Sequence, residues 1–177
     1  MNLEIRNDDA LLATPDSQCL KRSFSRFDFF ERFKEVDKVF EKHNIPQIVT
    51  VLAEGIDIYP EWVKYIKERQ DRIRVEMHGW GHLNYRIYDE EFAYQLLKTA
   101  KEKIEDSFQT KVSRWYVPHG RLLFPSWGKD VCSKLGIKFH TTGGTIRHVY
   151  FHYWNPISVE KTFNILKGNK WRAMYDK

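Results

Sequence analysis

Hydrophobic and polar positions along the chain switch repeatedly between two periods. Residues 3–7 alternate weakly, as a short strand does, and run into Asp8-Asp9. Residues 13–25 are polar, with Thr14-Pro15-Asp16-Ser17, the composition of a loop. From 27 to 42, Phe30, Phe33, Val36, Val39 and Phe40 recur at helical spacing until Asn44-Ile45-Pro46 breaks the pattern. Residues 47–53 form an unbroken, β-branched run that suits a strand buried on both faces. Residues 61–69 are again helical, with Trp62, Tyr65 and Ile66 on one face, and 73–77 form the next strand, which delivers His78 at its end. Asp89 is an N-cap candidate for a helix reaching about Phe108, with Phe92, Leu96, Leu97, Ala100 and Ile104 as its inner stripe. A strand at 114–117 closes on Pro118-His119-Gly120. A helix at 126–135 stops at Gly136, and 137–141 and 149–153 are the last predicted strands.

Regular alternation of strand and helix, without repeat or linker, predicts a single α/β domain over residues 1–177. Its sheet should be mostly parallel, either open or closed into a barrel. Asp8-Asp9, His78, Pro118-His119-Gly120 and His152 all fall at or just beyond the carboxyl ends of predicted strands. Loops from neighbouring strands converge on that edge of a parallel sheet, and active sites form there.

Composition narrows the choice of partner. The formal charge is +5, but Lys and Arg are interspersed with acids, as in Glu31-Arg32-Phe33-Lys34-Glu35, so no basic block marks a nucleic-acid surface. No run approaches a membrane span. Met1-Asn2-Leu3-Glu4-Ile5-Arg6 has no apolar signal region, so a cytoplasmic location is expected. Cys19 and Cys132 are far apart and outside any metal-type spacing, which argues against a disulfide framework. Aromatic residues make up 15% of the chain, and they either build the core or in part line a carbohydrate-type cleft, a choice composition leaves open with the core favoured.

His78-Gly79-Trp80-Gly81-His82 carries the most chemical information. Two imidazoles four residues apart can point the same way from one helical turn, or from a tight loop that starts a helix, and so hold one divalent ion. The glycines permit a close turn that aims both rings inward. Asp8-Asp9 offers one carboxylate for a cation and another to hold or deprotonate a water. Nitrogen donors with a carboxylate suit Zn²⁺, and Co²⁺, Ni²⁺, Fe²⁺ and Mn²⁺ as well. His152, within Tyr150-Phe151-His152-Tyr153-Trp154, is either a core histidine or a general acid. The stretch from Trp115 to Arg121 is either a structural turn or a cleft wall whose backbone N–H groups face a developing oxyanion. Trp80, Trp115, Tyr116, Pro118, His119 and Arg121 are the substrate-side candidates.

These motifs resemble the NodB-homology polysaccharide deacetylases, carbohydrate esterase family 4. That family places Thr-Phe-Asp-Asp-Gly after its first strand, where this chain has Arg6-Asn7-Asp8-Asp9-Ala10. Its His-(Ser/Thr)-x-x-His corresponds to His78–His82. Its Arg-Pro-Pro-aromatic-Gly stretch corresponds to Tyr116-Val117-Pro118-His119-Gly120, and its Leu-x-His to Tyr150-Phe151-His152. The family's third-motif Arg falls on Tyr116 or Val117. The resemblance implies a distorted (β/α)7-type barrel. It implies Asp9, His78 and His82 as metal ligands, Asp8 as base and His152 as acid. The implied reaction is removal of an acetyl group from an N-acetylated sugar or sugar-linked intermediate, such as a precursor in surface-polysaccharide synthesis. The alternatives are a catalytically impaired glycan-binding module of the same fold, or a metal-dependent hydrolase of a non-sugar amide.

Overall fold

The computed structural model describes residues 6–10, 26–118 and 125–140. Five strands form one sheet: β1 (Arg6–Ala10), β2 (Gln47–Leu52), β3 (Ile73–Gly79), β4 (Arg114–Tyr116) and β5 (Lys138–His140). Every neighbouring pair is parallel, and the spatial order follows the chain, β1-β2-β3-β4-β5. An order without reversal is that of a barrel wall; a doubly wound sheet would change direction partway. The strand expected at 149–153, needed to carry the wall further, lies outside the described residues, as does the loop at 13–25.

Four helices cross between the strands: α1 (Arg26–Lys42), α2 (Pro60–Lys67), α3 (Glu90–Phe108) and α4 (Gly128–Lys134). They cover one face of β2, β3 and β4. Val49, Val51, Ile73, Val75, Met77 and Trp115 join Phe33, Trp62, Ile66, Leu97, Ile104 and Phe108 in one core cluster. The alternate positions on β3, namely Arg74, Glu76 and His78, therefore lie on the opposite face. Much of the aromatic content serves this core. Phe33 and Phe108 each meet Trp62 edge-on, with ring centroids 5.6 and 5.7 Å away. Cys132 is buried here too, and burial pushes its thiol up to about 12, so it behaves as a small apolar residue.

At the amino edge of the sheet, buried Asp37 fixes α1 against the strands. It accepts hydrogen bonds from Gln47 (2.6 Å) and Tyr65 (2.7 Å) and is paired with Arg72. This buried charge is fully partnered, as burial requires.

Asp89 caps α3, its Oδ1 accepting from the Phe92 N–H at 2.8 Å. Asp89→Ala should cost about 1 kcal/mol and lower the melting temperature by about 2–4 °C in a domain of this size, as measured by thermal unfolding. The inner stripe differs from expectation. Ala93, Leu97, Ala100, Ile104 and Phe108 face inward, while Phe92 is 51% exposed and lies against the Tyr88 ring. Phe92 is one position short of the row that meets the sheet, and it turns away by the helix's angular step.

Two strand boundaries also move, and both matter for the site. β1 continues through Asp8-Asp9 to Ala10, and β3 runs past Met77 to Gly79, so His78 belongs to the strand itself. Each extension contains an irregularity against β2. Asn7 pairs with Val49 but Ala10 with Val51, which leaves one extra residue in β1 at Asp8-Asp9. Met77 pairs with Val51 but Gly79 with Leu52, which leaves His78 as the extra residue in β3. Bulges of this kind re-aim side chains and gather beside active sites. No helix among the described residues is long and apolar enough to cross a membrane.

Candidate metal centre

The two irregular positions flank β2 at its carboxyl end. Strands one removed from each other are roughly 10 Å apart, a span that an aspartate and a histidine can close by reaching toward a common ion. The side chains of Asp8 and Asp9 lie outside the described residues, and so do His119, Arg121 and His152. His78, His82, Trp80, Trp115, Tyr116 and Pro118 are described.

His78 is almost fully buried. Its Nδ1 lies 2.5 Å from the backbone carbonyl of Tyr116. A carbonyl can only accept, so Nδ1 carries the proton and the ring's lone pair sits on Nε2. That is the arrangement of a metal-binding histidine whose second nitrogen is held by an oxygen of the outer shell. His82 is half-buried, and its ring centroid is 5.4 Å from that of His78. The two rings therefore converge, but not from one helical turn. His78 leaves a strand, and His82 lies in the loop that precedes a 3-10 turn at Tyr85–Ile87.

Tyr85 organises this loop. Its buried hydroxyl accepts from the Trp80 N–H (2.8 Å) and donates to the Gly81 carbonyl (3.3 Å). Burial raises the phenol's pKa and keeps it protonated for that donation. Gly79 sits at φ +143°, a region L side chains rarely adopt, and a Cβ there would collide with the Tyr85 hydroxyl. Gly81 has a different reason to be glycine. A Cβ at that position would come within 2.9 Å of the Glu54 carboxylate.

Glu54 had no signal in the sequence. It lies in the 3-10 turn Ala53–Gly55 directly after β2, and its backbone N–H donates to the Trp80 carbonyl at 2.9 Å. Burial raises its pKa, and the neighbouring His82 lowers it again. This acid sits against the loop that carries His82.

The substrate-side candidates separate into layers. Trp115 is fully buried and faces the helices, its indole N–H donating to the His78 carbonyl at 3.1 Å. As placed, it supports the site from the core instead of lining a cleft, because odd positions on β4 share the helix-facing side with Met77. Tyr116 is also buried and contributes its carbonyl to His78. Pro118 is buried at the start of the following turn. The part-buried Trp80 lies against the core with the Lys103 ammonium 5.2 Å above its ring.

The donor set suits a divalent ion. A buried imidazole has its tautomer fixed by a carbonyl, a second imidazole converges on it, and a carboxylate-bearing strand lies one strand away. Among the described residues no three His, Cys, Asp or Glu side chains form a ligand set by themselves. The third ligand expected from the sequence, Asp9, has its side chain outside those residues.

A parallel α/β sheet wound in chain order, with a histidine pair converging at its carboxyl edge, is the architecture of a (β/α)-type domain. The sequence profile of the polysaccharide deacetylase family matches residues 25–140, and the chain belongs to that family. Among solved structures it is similar to a family 4 carbohydrate esterase pseudoenzyme from Bacillus anthracis (11% identity, TM-score 0.73, covering 97% of this chain and 62% of that one). It is equally similar to a mutant of that pseudoenzyme with restored enzymatic activity (12% identity, TM-score 0.73, 97% of this chain and 64% of that one). A family 4 carbohydrate esterase from Streptomyces lividans in complex with acetate also matches (9% identity, TM-score 0.73, 99% of this chain and 93% of that one). At such identities these likenesses establish the fold, and the chain spans less than two thirds of the pseudoenzyme's length. No curated protein sequence matches the chain at a significant level.

Proposed function

We propose that the chain is a metal-dependent deacetylase acting on an N-acetylated sugar or sugar-linked intermediate. Asp9, His78 and His82 are its metal ligands. The observation that supports this most directly is the coincidence of two strand irregularities, at Asp8-Asp9 and at His78, on either side of β2. Zn²⁺ is the first choice for this donor set, with Co²⁺, Ni²⁺, Fe²⁺ and Mn²⁺ as other candidates.

A bound divalent ion supplies Lewis acidity, polarising the acetyl carbonyl and making water easier to deprotonate. The chain supplies the rest. Asp8, beside the ligand Asp9, takes the proton from the attacking water. His78 is held in one tautomer by the Tyr116 carbonyl, so its ring is oriented before substrate arrives. The roles proposed for the remaining residues are oxyanion binding by backbone N–H groups between Trp115 and Arg121 and protonation of the leaving amine by His152. Trp80, His119 and Arg121 remain the proposed sugar-contacting residues.

Asp8→Asn tests the division of labour between the two acids. The variant should retain metal by elemental analysis, while acetate release from N-acetylated sugars falls at least about 100-fold, the scale of a general base. Unchanged acetate release would remove Asp8 from the mechanism. A second reading is a metal-holding glycan-binding module without turnover. It is favoured by Tyr116 and Val117 standing where the family's third motif has Arg. Glycan binding without acetate release across a panel of acetylated sugars would establish it.

A further inference from the structure

We propose that Glu54 is a positioning residue of the metal centre, packing its carboxylate against the turn that carries His82. The inference rests on the reading of His78 and His82 as metal ligands and adds a residue to that site. Two observations support it. The 3-10 turn after β2 is tied to the His78–His82 loop by the Glu54 N–H to Trp80 carbonyl bond, so the acid is held at the loop by backbone. Its carboxylate packs on Gly81, with Cδ and both oxygens 2.9 Å from where a Cβ would stand. Gly81 is thus a cradle shaped for this carboxylate; its φ lies outside the left-handed region that would otherwise account for a glycine.

Charge balance gives the carboxylate a purpose. A dication held by two neutral imidazoles and one aspartate leaves net positive charge in a partly desolvated site. A second carboxylate nearby offsets it more strongly there than in bulk water. Outer partners of this kind tune metal affinity by about 10–100-fold when removed.

The test is a double-substitution cycle read by Zn²⁺ affinity, using competition with a chromophoric chelator at pH 8. Glu54→Gln keeps the shape and removes the charge, and should weaken Zn²⁺ binding about tenfold. Gly81→Ala should weaken it similarly by displacing the carboxylate. The displaced group is the far end of a flexible side chain, so the melting temperature of the metal-free protein should hold. In the Glu54→Gln background, Gly81→Ala should add little. Zn²⁺ affinity unchanged by Glu54→Gln, or fully additive effects, would overturn the proposal. His78→Ala separates the two levels: if it leaves Zn²⁺ binding intact, the metal reading itself fails. If it abolishes binding while Glu54→Gln does nothing, only the role of Glu54 fails.

Discussion

His78→Ala is expected to yield a folded protein that carries no divalent metal through dialysis and releases no acetate above background. The expectation follows from where the side chain sits. His78 is the extra residue of the β3 bulge, 3% exposed, with its tautomer fixed by the Tyr116 carbonyl. Nothing else on β3 can replace it, since Met77 points into the helix-facing core and Gly79 has no side chain. Loss of an outer partner costs about 10–100-fold in metal affinity, so loss of a ligand should exceed that range. Elemental analysis and an acetate assay on the same preparation check both halves. Metal retained at the wild-type level would remove His78 from the ligand set. Trp115→Phe makes a graded companion, because it removes the indole N–H that holds the His78 carbonyl while keeping a smaller aromatic ring in the core. It should weaken the metal site without abolishing it.

Much of this arrangement was legible because it depends on local pattern. The Asp89 cap, the apolar run of β2 and the Gly136 stop are each encoded within a few residues, and each appears where it was expected. Gly136 adopts φ +66°, the left-handed conformation a helix terminus favours. What the sequence hid depends on pairing between distant segments. A bulge is a relation between two strands, so neither the extra residue at Asp8-Asp9 nor that at His78 could be read from one strand alone. The side of β4 on which Trp115 lies was ambiguous for a related reason. Trp115 and Tyr116 are adjacent aromatics, and alternation between two large rings gives no sign of which faces the helices. Glu54 is one of 24 acidic residues, and only the crossing of its turn over Gly81 distinguishes it. The two loop glycines had been assigned a common purpose, a tight turn. Gly79 fits that account with its positive φ, whereas Gly81 answers to the carboxylate packed on it.

Glu76→Ala is expected to cause the largest loss of stability, and to reach the metal centre through the sheet. Glu76 lies two residues before His78 on the same face of β3 and is fully buried. Its Oε2 accepts from the backbone N–H groups of Ser113 (2.9 Å) and Arg114 (2.8 Å), and its Oε1 accepts from the Ser113 hydroxyl (2.8 Å). Arg74 completes the shell at 2.7 Å. The carboxylate thereby splices the start of β4 onto β3, where the register between the two strands is a single pair, Met77 with Trp115. Alanine would leave two part-buried N–H groups without their acceptor and remove the charged partner of Arg74, which keeps the Ser113 hydroxyl. Breaking a buried charged pair from one side costs about 3–5 kcal/mol, and the low end applies here because the Arg74 left behind is partly exposed. At about 2–4 °C per kcal/mol for a domain of this size, the melting temperature should fall on the order of 10 °C. Glu76→Gln, which keeps an acceptor and the shape but loses the charge, should lie between alanine and wild type. Because β4 also carries the Tyr116 carbonyl to His78, the fraction of Glu76→Ala that remains folded should bind Zn²⁺ more weakly, although residue 76 is no ligand. Calorimetric unfolding with and without Zn²⁺ reads both effects, and an unchanged melting temperature would show that β4 is held to β3 by something other than this carboxylate.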